Sequence, residues 1–318
     1  MPRIAILDDY ANAALGLADW GSLPAGFEAV AFNDNLVEQD ALAARLADFQ
    51  VICAMRERTP FPAAMFERLP KLQLFVTSGM RNKSVDFAAA RARGVVCCGT
   101  ESSGTTTIEH TWALILAAAR HLAHDHMVMR QGGWQTRMGF DLAGKTLGCI
   151  GLGRLGAGVA RIAASAFGMK VIAWSHNLTA ERCAEVGAEL VSKEELFERA
   201  DVATIHLVLS DRTTGLVQAA DLARMKPSAI LVNTSRGPIV DAAALLETLR
   251  ARRIRAAALD VFDHEPLAAD HPLRRLDNVV LTPHIGYVTE DTYRLFYGQM
   301  VEAITAWAGG SPIRTIEA

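Results

Sequence analysis

Residues 146–156 read TLGCIGLGRLG. An apolar strand-like run ends in Gly151, Gly153 and Gly156, spaced G-x-G-x-x-G, and a helical stretch follows (AGVARIAASAFG, 157–168). Each glycine has a physical task at a dinucleotide. Gly151 allows the tight turn, Gly153 lets the backbone approach a pyrophosphate, and Gly156 lets the helix pack on the strand. Arg154 and Leu155 complete the loop, and the helix N-terminus offers free N–H groups and positive dipole to phosphates. The glycines alone also fit a tight turn that binds nothing. The strand–turn–helix setting, with Val171–Trp174 as the next strand, favours the dinucleotide.

Outward from this loop, short apolar runs alternate with helical stretches. Strands are expected at Arg3–Leu7, Val51–Ala54, Leu74–Thr77, Gly94–Cys97, Thr146–Ile150, Lys170–Trp174, Val202–Leu207, Ala229–Asn233, Ala256–Leu259 and Val279–Leu281. Segments of helical period lie between them, among them Gln39–Ala47, Gly156–Phe167, Lys193–Arg199 and Ala242–Ala251. Such alternation predicts an α/β protein with parallel sheets and helices on both faces. Ten strands exceed one modest sheet, so the expected fold is two Rossmann-like doubly wound parallel-sheet domains with a cleft between them. Thr105–Gln131 reads as one long connecting helix. The expected division is 1–100 plus 290–318 for a substrate-binding, flavodoxin-like domain, and 101–289 for the dinucleotide-binding domain.

The 318 residues are 51% hydrophobic and 21% charged, with net charge −3 and no dense basic block. That balance argues against nucleic-acid and membrane partners. The five cysteines are irregularly spaced, read as buried small apolar residues, and give no metal-ligand pattern with the histidines. The N-terminus, MPRIAILDDY, resembles neither a signal nor a transit peptide, so a cytoplasmic location is expected.

The second strand of the glycine unit ends in WSHN (174–177). An acid for the ribose hydroxyls is usual here in NAD sites, yet Ser175 stands in its place. Ser175, His176 and Asn177 can all donate to a 2′-phosphate, which leans NAD(P) selection modestly to NADP. No arginine is present to clamp that phosphate, and use of NAD without a carboxylate stays open.

Three further stretches are NTSRGPIVD (233–241), LDVFDHEP (259–266) and LTPHIGY (281–287). With the glycine loop, in this order and spacing, the chain resembles the D-isomer-specific 2-hydroxyacid dehydrogenase family, which includes phosphoglycerate, glycerate, lactate and glyoxylate/hydroxypyruvate dehydrogenases. The resemblance covers nearly the whole chain. It implies hydride transfer between a nicotinamide and a 2-oxo or D-2-hydroxy acid, with Arg236, Glu265 and His284 as the catalytic set. Arg236 would grip the substrate carboxylate through two hydrogen bonds and polarise its carbonyl. His284 would exchange a proton with the alkoxide, and Glu265 would favour its imidazolium and fix its tautomer. By the same resemblance Asp260 contacts the nicotinamide carboxamide, and Thr234, Ser235 and Gly286 lie near the ring. His206 reads equally as a cofactor contact or a core histidine.

On the substrate side the resemblance points to VTSGMRNKSVD (76–86), whose Gly79, Met80 and Arg81 would meet the carboxylate, and to Arg56 in MRERTP. Arg81 replaces a usual glycine, and either adds charge to that site or points to solvent. Asn82 is within possible reach of the pocket, and Arg58 reads as surface. Tyr287 replaces a small residue after HIG and would shrink the pocket or add a hydrogen bond. A homodimer is expected from the family, with Trp112 and its helix face as the surface. The competing function is a non-catalytic NAD(H)-sensing binding protein on the same fold. Glu265 argues against a formate-dehydrogenase-like enzyme.

Overall fold

A computed structural model describes residues 1–102 and 104–317, and the chain separates into two compact units, 1–103 with 288–318 and 104–287. The first unit holds β1 (Arg3–Ile6), β2 (Glu28–Ala31), β3 (Val51–Ala54), β4 (Leu74–Thr77) and β5 (Val96–Gly99). They form a parallel sheet in the order β2-β1-β3-β4-β5. Helix Glu290–Ala308 belongs to this unit and packs on β4 and β5, with Phe296 and Tyr297 fully buried.

The second unit holds β6 (Thr146–Ile150), β7 (Lys170–Trp174), β8 (Ala188–Leu190), β9 (Val202–Ile205), β10 (Ile230–Asn233), β11 (Ala256–Leu259) and β12 (Val279–Leu281). Its parallel sheet runs β12-β11-β10-β9-β6-β7-β8. Alternate residues of the same strands feed two cores. Leu147, Cys149, Val171, Ile230, Val232 and Ala258 face one, whereas Ile172, Ala203, Ile205, Leu231 and Leu259 face the other. Burial on both faces is why these strands read as unbroken apolar runs. The order reverses between β6 and β9, and ligands of doubly wound sheets bind beyond the carboxyl ends at such a switch point. The glycine loop leaves β6 there.

All ten expected strands form, with ends shifted by up to two residues. β2 and β8 were not expected. Both are short edge strands, only partly buried: β2 reads EAVA and β8 only AEL. The long connecting helix is two helices, Thr106–Ala119 and Leu122–Arg130. Between them His121 takes a left-handed φ of 54°, which no glycine or proline announces. Trp112 forms no external surface: it is buried and stacks on Phe167 at 4.5 Å within the second unit. The exposed apolar side chains lie further on, at Leu122, Met127, Met129, Trp134 and Met138.

All five cysteines are free and buried, and burial pushes the Cys98 thiol up to about 11. No helix among the described residues is long and apolar enough to cross a membrane.

Candidate functional site

The glycine loop has the shape its spacing implies. Gly151 adopts φ 96°, and a Cβ on it would lie 2.7 Å from the His206 carbonyl oxygen. A Cβ on Gly156 would lie 2.1 Å from the Gly151 carbonyl oxygen. Gly153 differs, since a Cβ there would meet nothing within 4 Å. It is the N-cap of helix Arg154–Phe167, and no side chain caps that end. An open, glycine-lined helix N-terminus at the switch point fits a pyrophosphate. Beyond β7, Ser175 is partly buried and His176 and Asn177 are exposed, with the His176 ring edge-on to Trp174 at 5.0 Å.

His206 stands behind the loop, its Nε2 3.0 Å from Thr204 Oγ1. Burial pushes its imidazole down to about 4. The fold therefore holds this ring neutral, whereas the unfolded chain protonates it below about 6.5. Stability from this group is present above that value and is lost as pH falls toward 4, by on the order of 2 kcal/mol. Urea midpoints measured from pH 7 to 4.5 should fall less steeply in His206→Gln than in the parent. Identical slopes would assign the acid sensitivity elsewhere.

The loop after β10 carries Thr234, Ser235 and Arg236. Sequence reasoning missed the residue that shapes it. Asn233, 2% exposed, donates from Nδ2 to Arg236 O (2.9 Å) and accepts at Oδ1 from Ser235 N (3.0 Å). One side-chain amide thus holds both sides of the turn that presents the arginine. Ser235 Oγ donates to Leu207 O, and Arg236 Nη1 to Ser235 O at 2.7 Å. The buried Thr234 hydroxyl lies 2.8 Å from that of Thr111.

Gly237, like Gly151 and Gly156, has backbone where a side chain would begin. A Cβ on it would fall 2.1 Å from Phe262 C and 2.5 Å from Asp263 N. The backbone after Arg236 therefore lies flat against the loop that carries Glu265. That loop closes on itself, since Phe262 N donates to Glu265 Oε1 at 2.8 Å. The other carboxylate oxygen, Oε2, is 2.6 Å from His284 Nδ1. Both side chains are partly accessible, at 21% for His284 and 31% for Glu265. With Nδ1–H donating to Glu265, Nε2 is the histidine atom left to exchange a proton. His284 itself sits in a left-handed turn, φ 54°. The Tyr287 ring stands edge-on to it at 5.8 Å.

Asp260, at the end of β11, is 1% exposed. Its Oδ1 accepts from Thr282 Oγ1 (2.6 Å), Ile285 N (2.9 Å) and His110 Nε2 (3.1 Å), and its Oδ2 from Gly286 N (2.9 Å). Burial pushes this carboxyl up, but hydrogen bonds from His110, Thr282 and the Ile285 amide outweigh it and hold it below the usual range. The carboxylate is thus engaged by the protein's own loop.

In the first unit, the loop after β4 is tied to the loops after β3 and β5. Arg56 N donates to Ser78 Oγ at 2.8 Å, and Gly79 N to Thr100 Oγ1 at 2.8 Å. Gly79 has φ 86°, and a Cβ there would lie 2.5 Å from the Arg56 guanidinium. Met80 and Arg81 are exposed. Two expectations are corrected. Asn82 is 5% exposed and its amide is spent on Arg56 O and Thr77 Oγ1, so it supports the loop from beneath. Arg58 is not a bland surface residue: it donates to Asp8 O at 2.8 Å and covers the Tyr10 ring.

The NAD-binding-domain model of the D-isomer specific 2-hydroxyacid dehydrogenases matches residues 112–286. A glyoxylate reductase from Aeropyrum pernix is 41% identical over 77% of this chain and 76% of its own length. A D-3-phosphoglycerate dehydrogenase from Archaeoglobus fulgidus is 38% identical over 82% of this chain. The chain spans only about half (50%) of that relative. A phosphoglycerate oxidoreductase from Vibrio cholerae superposes with TM-score 0.92 at 35% identity, over 98% of this chain and 100% of that one.

Proposed function

The chain belongs to the D-isomer specific 2-hydroxyacid dehydrogenase family, and from that premise we propose that it interconverts a 2-oxo acid and a D-2-hydroxy acid, with NADP(H) preferred to NAD(H). The observation that carries this reading is the 2.6 Å pairing of His284 Nδ1 with Glu265 Oε2. A carboxylate behind an imidazole fixes its tautomer and aims the opposite ring nitrogen at the atom that exchanges the proton.

Gly151, Gly153, Arg154, Leu155 and Gly156 would hold the dinucleotide's pyrophosphate. When bound, that cofactor would supply the hydride in reduction and accept it in oxidation. Arg236 grips the substrate carboxylate in a planar two-point contact and draws charge from the neighbouring carbonyl. His284 Nε2 donates a proton to the oxygen during reduction and takes it back during oxidation. Arg56, Gly79, Met80 and Arg81 are the residues of the first unit that would meet the acid, and Tyr287 would limit its size. Initial rates with a panel of 2-oxo acids and both reduced nicotinamides test the reading. Tight cofactor binding without turnover of any acid would favour the sensor alternative.

Support for NADP(H) comes from the loop after β7, where Ser175 replaces a carboxylate that would repel the 2′-phosphate. Ser175→Asp should raise KM for NADPH by roughly fivefold or more while leaving NADH nearly unchanged, because one charge pair close to the surface is worth about 1 kcal/mol or more. An unchanged ratio of the two KM values would remove Ser175 from cofactor selection.

A further inference from the structure

Helix Thr106–Ala119 begins beside two loops of the candidate site, and its first turns contact both. Thr111 Oγ1 donates to Thr107 O and lies 2.8 Å from Thr234 Oγ1, on the loop that carries Arg236. One residue earlier, His110 Nε2 is 3.1 Å from both Asp260 Oδ1 and Thr282 Oγ1. The His110 side chain is 16% exposed and Asp260 is 1% exposed, so little water competes for these bonds. A Cβ on Gly286 would come within 3.1 Å of Asp260 Oδ2 and 3.7 Å of His110 Cδ2. The His284 turn thus lies in van der Waals reach of this helix and close against the Asp260 carboxylate.

Asp260 is the hinge of the arrangement. Its two oxygens take the amides of Ile285 and Gly286, the two residues directly after His284. Those bonds hold a left-handed histidine backbone that is unfavourable without support. We propose that His110 is a positioning residue: with Thr282 it pins Asp260 Oδ1, and through the Asp260 carboxylate it fixes the His284 turn. This rests on the reading of His284 as the proton donor. A buried carboxylate deprived of one donor can rotate toward another partner, and His284 Nε2 then loses its aim while Glu265 still holds Nδ1.

The test compares His110→Phe, which fills the space without a donor, with His110→Gln, whose amide can again reach Asp260. His110→Phe should lower kcat by roughly tenfold with KM for the oxo acid within about twofold, because loss of one hydrogen bond to a buried charge misplaces the proton donor without touching the substrate. His110→Gln should recover most of that loss. In the cofactor-free protein, amide hydrogen exchange at Ile285 and Gly286 should speed up by about tenfold in His110→Phe and return in His110→Gln. Lower thermal stability with unchanged kcat and unchanged exchange at these two amides would overturn the proposal and leave His110 a packing residue. Should His110→Phe not fold, Thr282→Val removes the other donor to the same oxygen and is expected to give the same pattern. If the parent turns over no 2-oxo acid, the functional reading fails, and the exchange measurement still decides whether His110 holds the turn.

Discussion

Replacing His284 by asparagine is expected to lower kcat/KM for the oxo acid by about 10²–10⁴-fold, the range for removing a general acid–base group. Asparagine is chosen over alanine because the residue sits at φ 54°, a region asparagine tolerates. The backbone turn, and with it the bonds from Ile285 and Gly286 to Asp260, should therefore persist. Asparagine cannot carry a transferable proton near neutral pH. Affinity for the reduced nicotinamide, followed by fluorescence, should stay within about threefold, since the loss falls on the transition state. Turnover within tenfold of the parent would remove His284 from proton transfer. A parallel collapse of cofactor affinity would mean that the loop had moved and that the substitution tests position instead.

Much of this site was legible in the sequence because its residues lie at strand ends, where doubly wound sheets place ligands. Arg236 follows β10, Asp260 ends β11, and His284 follows β12, so three separated motifs arrive at one sheet edge once the strand order is known. The supports were not legible. Asn233 looks like the last residue of an apolar strand, and nothing in NTSRG says that its amide spans the turn. His110 lies within IEHTW, where helical period suggests only a part-buried face, and its partners are 150 and 172 positions away. Asp260, which the resemblance assigns to the cofactor, also takes the two amides of the His284 turn, a contact no local pattern announces. Side-chain contacts across such separations depend on packing that no local pattern records. The same limit hid β2 and β8, short edge strands that each pair with a single neighbour.

Gly237→Ala is expected to produce the largest loss of stability among these substitutions, about 3 kcal/mol, at the upper end for overpacking. The reason is the identity of the atoms in the way. The new methyl would lie 2.1 Å from Phe262 C, 2.4 Å from Phe262 O and 2.5 Å from Asp263 N, all backbone, so no side chain can swing aside. The loops after β10 and β11 must separate instead, and each carries part of the proposed catalytic set. Arg236 immediately precedes the glycine, and Phe262 N holds Glu265 Oε1 at 2.8 Å. A displacement near 1 Å at reacting groups costs about 10²-fold, so kcat/KM should fall by that order even at temperatures where the protein remains folded. Gly298→Ala serves as the control. That glycine lies within helix Glu290–Ala308 with nothing within 4 Å of a Cβ, and the change should stabilise by about 0.5–1 kcal/mol. Thermal melts and initial rates on both variants make the comparison. Parent-like melting of Gly237→Ala would show that the two loops are not locked together, and the shared positioning of Arg236 and Glu265 would then need another explanation than this contact.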